Sequence, residues 1–348
     1  MSTNRVPELV AARATLLRTV RRFFDERGYL EVDTPALARS LIPEPAIDVF
    51  VTEAHHRATP LYLAPSPERW MKRLLAAGCA AIYQVSRAFR NLEESGPWHA
   101  GEFSMLEWYS TGEDWIAARR TTTDLLRETV AALGPWRTGG GVDAAADHAL
   151  EPEVHTVAEL CERALGSPLV SLPLAELQAI ASRLDAAWSP DDDWERLFHR
   201  LFLAHVEPSL PADRPVFVTD YPSGVPTLAR AIPDRAVAER WELYLGGVEI
   251  ANCYQEEVDP QRLREVIGAE AERVRSHRVT SHHATSHSPT VSPPPIASPA
   301  PPRVDWGLPD RFGGSRPCSG VALGIDRLLA LLLGTDGLTA VAYCDTTN

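Results

Sequence analysis

The sequence has no lysine- or arginine-rich run and carries a net charge of −13 over 348 residues. Proteins that bind nucleic acid generally present a basic stripe or patch to the phosphate backbone. The composition therefore disfavours a general nucleic-acid binder. It stays compatible with a small anion, such as a nucleoside triphosphate that is bound together with its own metal ion.

Long apolar segments and paired cysteines are missing as well. The N-terminal residues, MSTNRVPELVAAR, have no apolar signal core, and no uninterrupted apolar run reaches about 18 residues. The five cysteines are scattered, without a CxxC pair or a metal-type spacing. These absences predict a reduced, soluble, cytoplasmic protein with no membrane-spanning segment.

Hydrophobic residues make up 45% of the chain, which is enough for a sizeable core. Residues 8–27 have apolar positions at helical spacing, and residues 82–90 and 103–109 have strand-like patterns. Strands with helices between them predict an α/β (α+β) fold with an antiparallel sheet flanked by helices. We expect a single domain over residues 1–348, with the Ser/His/Pro-rich segment 276–303 as an insert without regular structure.

The stretch YLGGVEIANCYQEEVDP predicts a β-hairpin that turns at Gly246-Gly247. Such a turn pairs Tyr244 with Glu249 and Glu242 with Ala251, and it places both glutamates on one face of the hairpin. Two adjacent carboxylates are unfavourable unless a cation lies between them, and Mg²⁺ suits such a pair. A solvated strand face without a ligand is the alternative interpretation.

Two further stretches, YQVSRAFRN and HAGEFSMLEWY, form the adjacent strand-like runs. Alternation places four side chains on one face of the second run: Phe103, Met105, Glu107 and Tyr109. This face suits a planar base and a cationic group. Arg90 ends the first run, where its guanidinium could bind a phosphate or a carboxylate, or could pair with Glu93 or Glu94 in a surface network.

A third stretch, SGVALGIDRLLALLLG, predicts a strand followed by a buried apolar helix. Because a buried arginine needs an anion, Arg327 requires either a protein carboxylate such as Asp326 or a ligand phosphate. Gly320 and Gly324 would let a ligand approach the backbone closely, or they are packing glycines.

Taken together and in order, these stretches resemble the catalytic core of the class II aminoacyl-tRNA synthetases of the lysyl type. GYLEVDTPAL resembles the first motif, whose strand builds a homodimer interface in that family. FRN followed by HAGEFSMLEWY resembles the second motif, GVALGIDRL the third, and GGVEIANCYQEEVD the element specific to the lysyl group. The resemblance covers residues 8–345 except for the Ser/His/Pro segment.

This resemblance implies that the cofactors are ATP and Mg²⁺. It assigns Arg90 and Arg327 to the ATP phosphates and Glu242 and Glu249 to Mg²⁺. The further residues that it places at ATP are Asn91, Glu93, His99, Phe103, Ile250 and Gly324, with Phe103 under the adenine. Those that it places in the lysine pocket are Ser66, Pro67, Glu68, Glu107, Tyr109, Asn252, Glu256 and Ala322. FRNLEE is one residue longer than the family's FRNE, which moves the expected acidic partner of Arg90 to Glu93.

A lysyl-tRNA synthetase carries an N-terminal anticodon-binding domain, whereas the first-motif helix here begins almost at residue 1. We therefore expect no such domain and no tRNA substrate. The outline resembles the ligases that activate lysine or (R)-β-lysine and transfer it to a lysine of elongation factor P. Ser66, Ala322 and the sequence AGC at 77–79 favour this branch of the family.

Several departures from the family pattern leave alternatives open. HAGEF replaces HNPEF, and Cys253 and Tyr254 replace glycine and phenylalanine near the amino-acid pocket. The four histidines of the low-complexity segment (His277, His282, His283 and His287) could bind a metal ion, but its composition favours an unstructured insert. The alternative functions are an activating enzyme that loads another small molecule, carrier protein or tRNA acceptor, and a non-catalytic regulator. Retention of both arginines and both glutamates argues against the regulator.

Overall fold

The computed structural model describes residues 6–55, 59–91, 96–136, 151–186, 188–281 and 301–342. Its helices are α1 (Val6–Glu26), α2 (Glu68–Ala76), α3 (Trp115–Leu133), α4 (Val157–Leu165), α5 (Leu174–Arg183), α6 (Trp194–Leu201), α7 (Pro260–Ser281), α8 (Leu308–Phe312) and α9 (Ile325–Leu332). Its strands are β1 (Leu30–Glu31), β2 (Leu37–Ala38), β3 (Val51–Thr52), β4 (Leu61–Leu63), β5 (Ala81–Phe89), β6 (Glu102–Thr111), β7 (Glu153–Thr156), β8 (Val216–Pro222), β9 (Ala231–Ile232), β10 (Val237–Leu245), β11 (Val248–Gln255) and β12 (Cys318–Gly324).

Nine strands of the described residues form one sheet in the order β1-β5-β6-β12-β11-β10-β8-β7, with β9 pairing with β10. The central strands are antiparallel, as the sequence predicts, whereas β1 pairs with β5 and β7 with β8 in parallel. The sheet is therefore mixed, with its parallel pairs at the two edges. A smaller antiparallel sheet has the order β2-β4-β3.

The two faces of the large sheet are covered differently. Helices α1, α3 and α9 pack on one face, where alternate strand residues such as Trp108, Leu243 and Val321 form the largest core cluster. On the opposite face, α2, α7 and α8 cover the β5–β6 end around Tyr109, and α4 to α6 cover the β7–β8 end around Tyr244. The candidate site lies between these two smaller clusters.

The hairpin register confirms one predicted pair and corrects the other. Tyr244 pairs with Glu249 across the Gly246-Gly247 turn, as predicted. The register then shifts by one residue at a β-bulge, so that Leu243 lies opposite Ala251, and Glu242 lies opposite Asn252. The prediction that Glu242 pairs with Ala251 was wrong, because a bulge inserts one extra residue, here Ile250, into one strand of the pair.

The boundary of the predicted unstructured insert also needs correction. Helix α7 continues to Ser281, so residues 276–281 at the start of the Ser/His/Pro segment are helical. The part of α7 from Pro260 to Arg275 is rich in acidic and basic residues. The helix that begins there continues past residue 276, where the low-complexity composition starts. Residues 282–300, including three of the four histidines, lie outside the described residues.

Two further expectations concern membranes and thiols. Within the described ranges, no helix combines the length and the apolar character that a bilayer crossing requires. The four cysteines in the described part of the chain are free thiols, and Cys161, Cys253 and Cys318 are buried.

Candidate active site

One row of side chains crosses five strands of the large sheet on the face between the two smaller clusters. Glu242 lies opposite Asn252, Asn252 opposite Ala322, and Ala322 opposite Glu107. Glu107 in turn lies opposite Gln84 on β5. Directly paired residues share a face of a sheet, so this register brings four predicted site residues and one unpredicted residue, Gln84, into a line.

A cleft opens beside this row, and it contains most of the residues assigned to ATP. Its lining includes Arg90, His99, Phe103, Glu249, Ile250, Asn252, Ala322, Gly324 and Arg327. The cleft therefore brings together residues from the second-motif and third-motif stretches, which are more than two hundred residues apart in sequence. Asn91 lies beside the cleft, where its backbone N–H donates to the Asp48 carbonyl at 2.8 Å. Glu93 falls outside the described residues.

Arg90 follows β5 directly and lies against an aromatic ring. Its guanidinium carbon is 5.2 Å from the centroid of the Phe103 ring. Its Nε is buried and has no hydrogen-bond partner among the described residues. A buried donor without a partner is costly, so this nitrogen favours an anionic ligand.

Arg327 is held by backbone carbonyls. Its Nε donates to the Trp98 carbonyl and its Nη1 to the Glu249 carbonyl, each at 2.9 Å. The suggested ion pair with Asp326 was wrong, because Asp326 pairs with Arg13 at 2.5 Å. The Asp326 carboxylate also accepts a hydrogen bond from the Ser104 backbone N–H. Two carbonyls orient Arg327, and its carboxylate contact among the described residues is a long one to Glu249 at 3.9 Å, so a phosphate can still bind the guanidinium.

Glu242 and Glu249 differ in how many hydrogen bonds and ion pairs their carboxylates make with the protein. Glu242 pairs with Arg240 through one oxygen, while its other oxygen accepts hydrogen bonds from Tyr221 and, at 2.9 Å, from Tyr244. Among the residues that the structure describes, the Glu249 carboxylate has one ion-pair contact, with Arg327 at 3.9 Å. Partial burial and then the charge of Glu242 raise the pKa of Glu249 to about 7.

These two carboxylates fit a hard divalent cation. A cation between them would relieve the repulsion that raises the pKa of Glu249, and carboxylate oxygens are the ligands that Mg²⁺ prefers. No group of three or more acidic, histidine or cysteine side chains that could hold a metal occurs among the described residues. The donor set therefore matches an ion that takes one or two protein carboxylates and completes its coordination with phosphates and water.

Lys72 was missed by the sequence analysis, although it lies at the centre of the predicted amino-acid pocket. Its Nζ is 2.6 Å from a Glu68 oxygen and 2.7 Å from a Glu256 oxygen, and its side chain is 1% exposed. Burial lowers the pKa of Lys72, but the two carboxylates outweigh burial and hold the pKa above its ordinary value. The signal was in the composition, since Lys72 is the only lysine in the chain.

The third predicted pocket carboxylate, Glu107, is bound differently. It accepts a hydrogen bond from the Tyr109 hydroxyl at 3.1 Å, and burial followed by the charge of Glu68 raises its pKa. Gly320 makes this packing feasible, because a Cβ there would lie 2.3 Å from a Tyr109 ring carbon and 2.6 Å from a Glu256 oxygen. Gly320 is thus a packing glycine of the pocket.

Ser66 and Pro67 precede α2, and Pro67 is its N-cap residue. This placement lets α2 begin at Glu68 and present Lys72 one turn later on the same side. A further acid that the sequence analysis missed, Glu44, lies in the loop between β2 and β3. The pKa of Glu44 is raised to about 7 by burial and then by Glu68, against Arg90 and Lys72.

Comparison with known proteins identifies the family of this chain. Residues 1–345 match the family described as tRNA synthetases class II (D, K and N). The chain is 36% identical over 354 residues to a protein of Vibrio parahaemolyticus serotype O3:K6, covering 98% of each chain. It is 34% identical over 343 residues to a protein of Klebsiella pneumoniae subsp. pneumoniae, covering 97% of this chain and 94% of the relative.

Both relatives are named elongation factor P--(R)-beta-lysine ligase, as is a protein of Vibrio cholerae serotype O1 that is 36% identical over 338 residues, or 94% of this chain and 92% of the relative. These matches confirm the predicted resemblance to the class II synthetases and the predicted resemblance to the elongation factor P ligases. This chain belongs to the class II tRNA synthetase family, in the group that comprises the D, K and N enzymes.

Proposed function

We propose that this protein is an ATP-dependent ligase that activates lysine or (R)-β-lysine and transfers it to a lysine amine of elongation factor P. One observation carries the proposal: Asn252 and Ala322, which line the cleft with Arg90 and Arg327, lie in the same sheet row as Glu107, and the charges of Glu68 and Glu256 act on Glu107. The cleft suits phosphates, and the acidic pocket of these glutamates suits ammonium groups. The names of the relatives support the choice of acceptor.

The proposed reaction has two steps. A carboxylate oxygen of the amino acid attacks the α-phosphorus of ATP, the bond to the β-phosphate oxygen breaks, and pyrophosphate leaves with the bonding electrons. Arg90 would hold the α-phosphate and Arg327 the terminal phosphate, each stabilising charge that develops during transfer. The acceptor amine then attacks the acyl carbon, AMP leaves, and the amine gives up a proton.

The chain's residues supply position and charge, and no protein nucleophile is needed. Phe103, against Arg90, would support the adenine, and the acidic pocket would hold the substrate's ammonium groups. Glu249 and Glu242 would hold Mg²⁺, which supplies additional neutralisation of the phosphate charge when bound. Homodimer formation stays a prediction, supported by the exposed Leu30 and Leu37 of the first-motif segment.

The test is the intact mass of elongation factor P after incubation with this protein, ATP, Mg²⁺ and either lysine or (R)-β-lysine. We expect a single lysyl-sized gain that Arg327→Ala abolishes. Arg262→Ala is the matched control, because Arg262 is an exposed arginine that pairs only with Glu265 among the described residues. ATP–pyrophosphate exchange without any mass gain would indicate another acceptor, and loss of both would favour a regulator.

A further inference from the structure

The unpredicted member of the sheet row, Gln84, is a buried polar side chain on the site face. It lies on β5, directly opposite Glu107 on β6, and it is 3% exposed. Its Oε1 is buried and accepts no hydrogen bond from any residue that the structure describes. A buried acceptor without a donor costs about 1–3 kcal/mol, so a folded protein keeps one only where a donor arrives from elsewhere.

Gln84 is not isolated in this respect. Alternate residues of a strand lie on the same face. Two further residues on the Gln84 face, one in β5 and one directly after it, have a buried polar atom without a hydrogen-bond partner in the described ranges. These are the Ser86 Oγ and the Arg90 Nε. The three atoms run from the acidic pocket towards the phosphate end of the cleft, which is the direction in which the substrate would lie.

Two donors of the acidic pocket are directed at carboxylates and not at Gln84. The Lys72 ammonium contacts Glu68 and Glu256, and the Tyr109 hydroxyl donates to Glu107. No described residue donates to the Gln84 Oε1, and a ligand in the pocket would supply the missing donor. Since the surrounding side chains are carboxylates, a cationic donor is favoured over a neutral one.

We propose that Gln84 accepts a hydrogen bond from the distal ammonium of the amino-acid substrate, beside Glu107, and thereby helps to select a diamino acid. An ammonium has three donors, and it can engage Gln84, Glu107 and one further acid at once. This inference rests on the proposed function and adds a specificity-determining residue to it. The amide contributes an acceptor without adding a further negative charge to a pocket that already holds three carboxylates.

The test uses Gln84→Met, which keeps the side-chain length and removes the acceptor. ATP–pyrophosphate exchange is measured with lysine and with norleucine, which lacks the distal ammonium. We expect kcat/KM for lysine to fall about 10- to 100-fold, because hydrogen bonds to charged groups contribute that much. The value for norleucine and the KM for ATP should stay unchanged. An equal fall for both amino acids, or none for lysine, would overturn the proposal.

Stability provides a second, independent readout. Gln84→Met should leave the urea midpoint of the ligand-free protein unchanged or raised, because it removes an unpaired acceptor. Gln255→Met is the matched control: Gln255 is 2% exposed, accepts from the Trp115 backbone and donates to the Cys318 carbonyl. That variant should lower the midpoint. A fall in Gln84→Met as large as in Gln255→Met would contradict the unpaired state of Gln84.

The wild-type protein separates this inference from the proposed function. If it exchanges pyrophosphate with neither lysine nor (R)-β-lysine, the proposed function fails, and the role of Gln84 fails with it. If the wild type exchanges normally and Gln84→Met leaves the lysine-to-norleucine ratio intact, only the inference about Gln84 fails.

Discussion

The ammonium of Lys72 lies 2.7 Å from a carboxylate oxygen of Glu256, and both side chains are at most 2% exposed. The family resemblance assigns Glu256 to the substrate, yet the protein's own ammonium already contacts it. Lys72 therefore acts as an internal counter-ion. It compensates the charge of the Glu68 and Glu256 carboxylates and fixes both in place.

Replacing Lys72 by methionine should destabilise the protein and weaken amino-acid binding. Removing one partner of a buried ion pair costs about 3–5 kcal/mol, because the remaining charges are left uncompensated. We expect a lower urea midpoint and a higher KM for lysine, with a smaller effect on the KM for ATP. Adding Glu256→Gln to Lys72→Met should recover much of the stability without recovering binding. A Lys72→Met variant as stable as wild type would contradict the role of Lys72 as counter-ion.

Gly320→Ala should close the amino-acid pocket. The new methyl group would meet the Tyr109 ring and Glu256 at distances well below contact, so one of them must move. We expect a loss of about 1–3 kcal/mol in the free energy of unfolding and a KM for lysine raised at least tenfold. Gly268→Ala in helix α7 is the control, because a Cβ added there meets no described atom within 4 Å apart from its chain neighbours and its own helix backbone. There alanine should be neutral or stabilising by up to about 1 kcal/mol. Equal effects at both positions would refute the packing argument.

Glu249→Gln should raise the Mg²⁺ concentration needed for half-maximal pyrophosphate exchange more than Tyr244→Phe does. Glu249 offers a carboxylate with few protein partners, whereas Tyr244 only orients Glu242 through one of its hydrogen bonds. Mg²⁺ titrations of both variants at fixed ATP provide the measurement. If Tyr244→Phe had the larger effect, Glu242 rather than Glu249 would be the principal ligand.

The pKa of Glu44, raised from 4.5 to about 7, gives stability a definite dependence on pH. Between these values the folded state binds more protons than the unfolded state. Glu44 therefore lowers the free energy of unfolding as pH rises through this window, and the penalty is complete above about pH 7. Urea unfolding of wild type and Glu44→Gln at pH 5 and pH 8 measures this contribution of Glu44 to the free energy of unfolding. We expect the variant to gain stability relative to wild type between the two pH values, and a constant difference would refute the shift.

The fold elements that carry a local pattern could be predicted from the sequence. Helix α1 and strands β5 and β6 lie within one or two residues of their predicted ranges, because periodicity and terminal glycines act locally. The parallel pairing of β7 with β8 could not be predicted, since it depends on residues some sixty positions away. The bulge in the β10–β11 hairpin was also invisible, because Ile250 fits a strand with or without it.

For the candidate site, the sequence could not predict which side chains contact one another. Motif order was enough to bring Arg90, Phe103 and Arg327 to one cleft. It could not reveal that Asp326 binds Arg13, which is 313 residues away, because an ion pair at that separation leaves no local pattern. The unsatisfied amide of Gln84 was hidden for the same reason, since satisfaction depends on every neighbour in three dimensions.

The burial of Lys72 has a chemical consequence for an enzyme that makes activated acyl groups. An acyl-adenylate reacts with any deprotonated amine within reach, including those of the protein that makes it. Of the 34 lysine and arginine side chains, Lys72 is the one lysine, and the other 33 are arginines, whose guanidinium groups stay protonated and unreactive. Lys72 itself is enclosed and held protonated by Glu68 and Glu256. The protein thus presents no lysine side chain to its own intermediate, and the lysine of the acceptor meets no competing lysine on the enzyme surface.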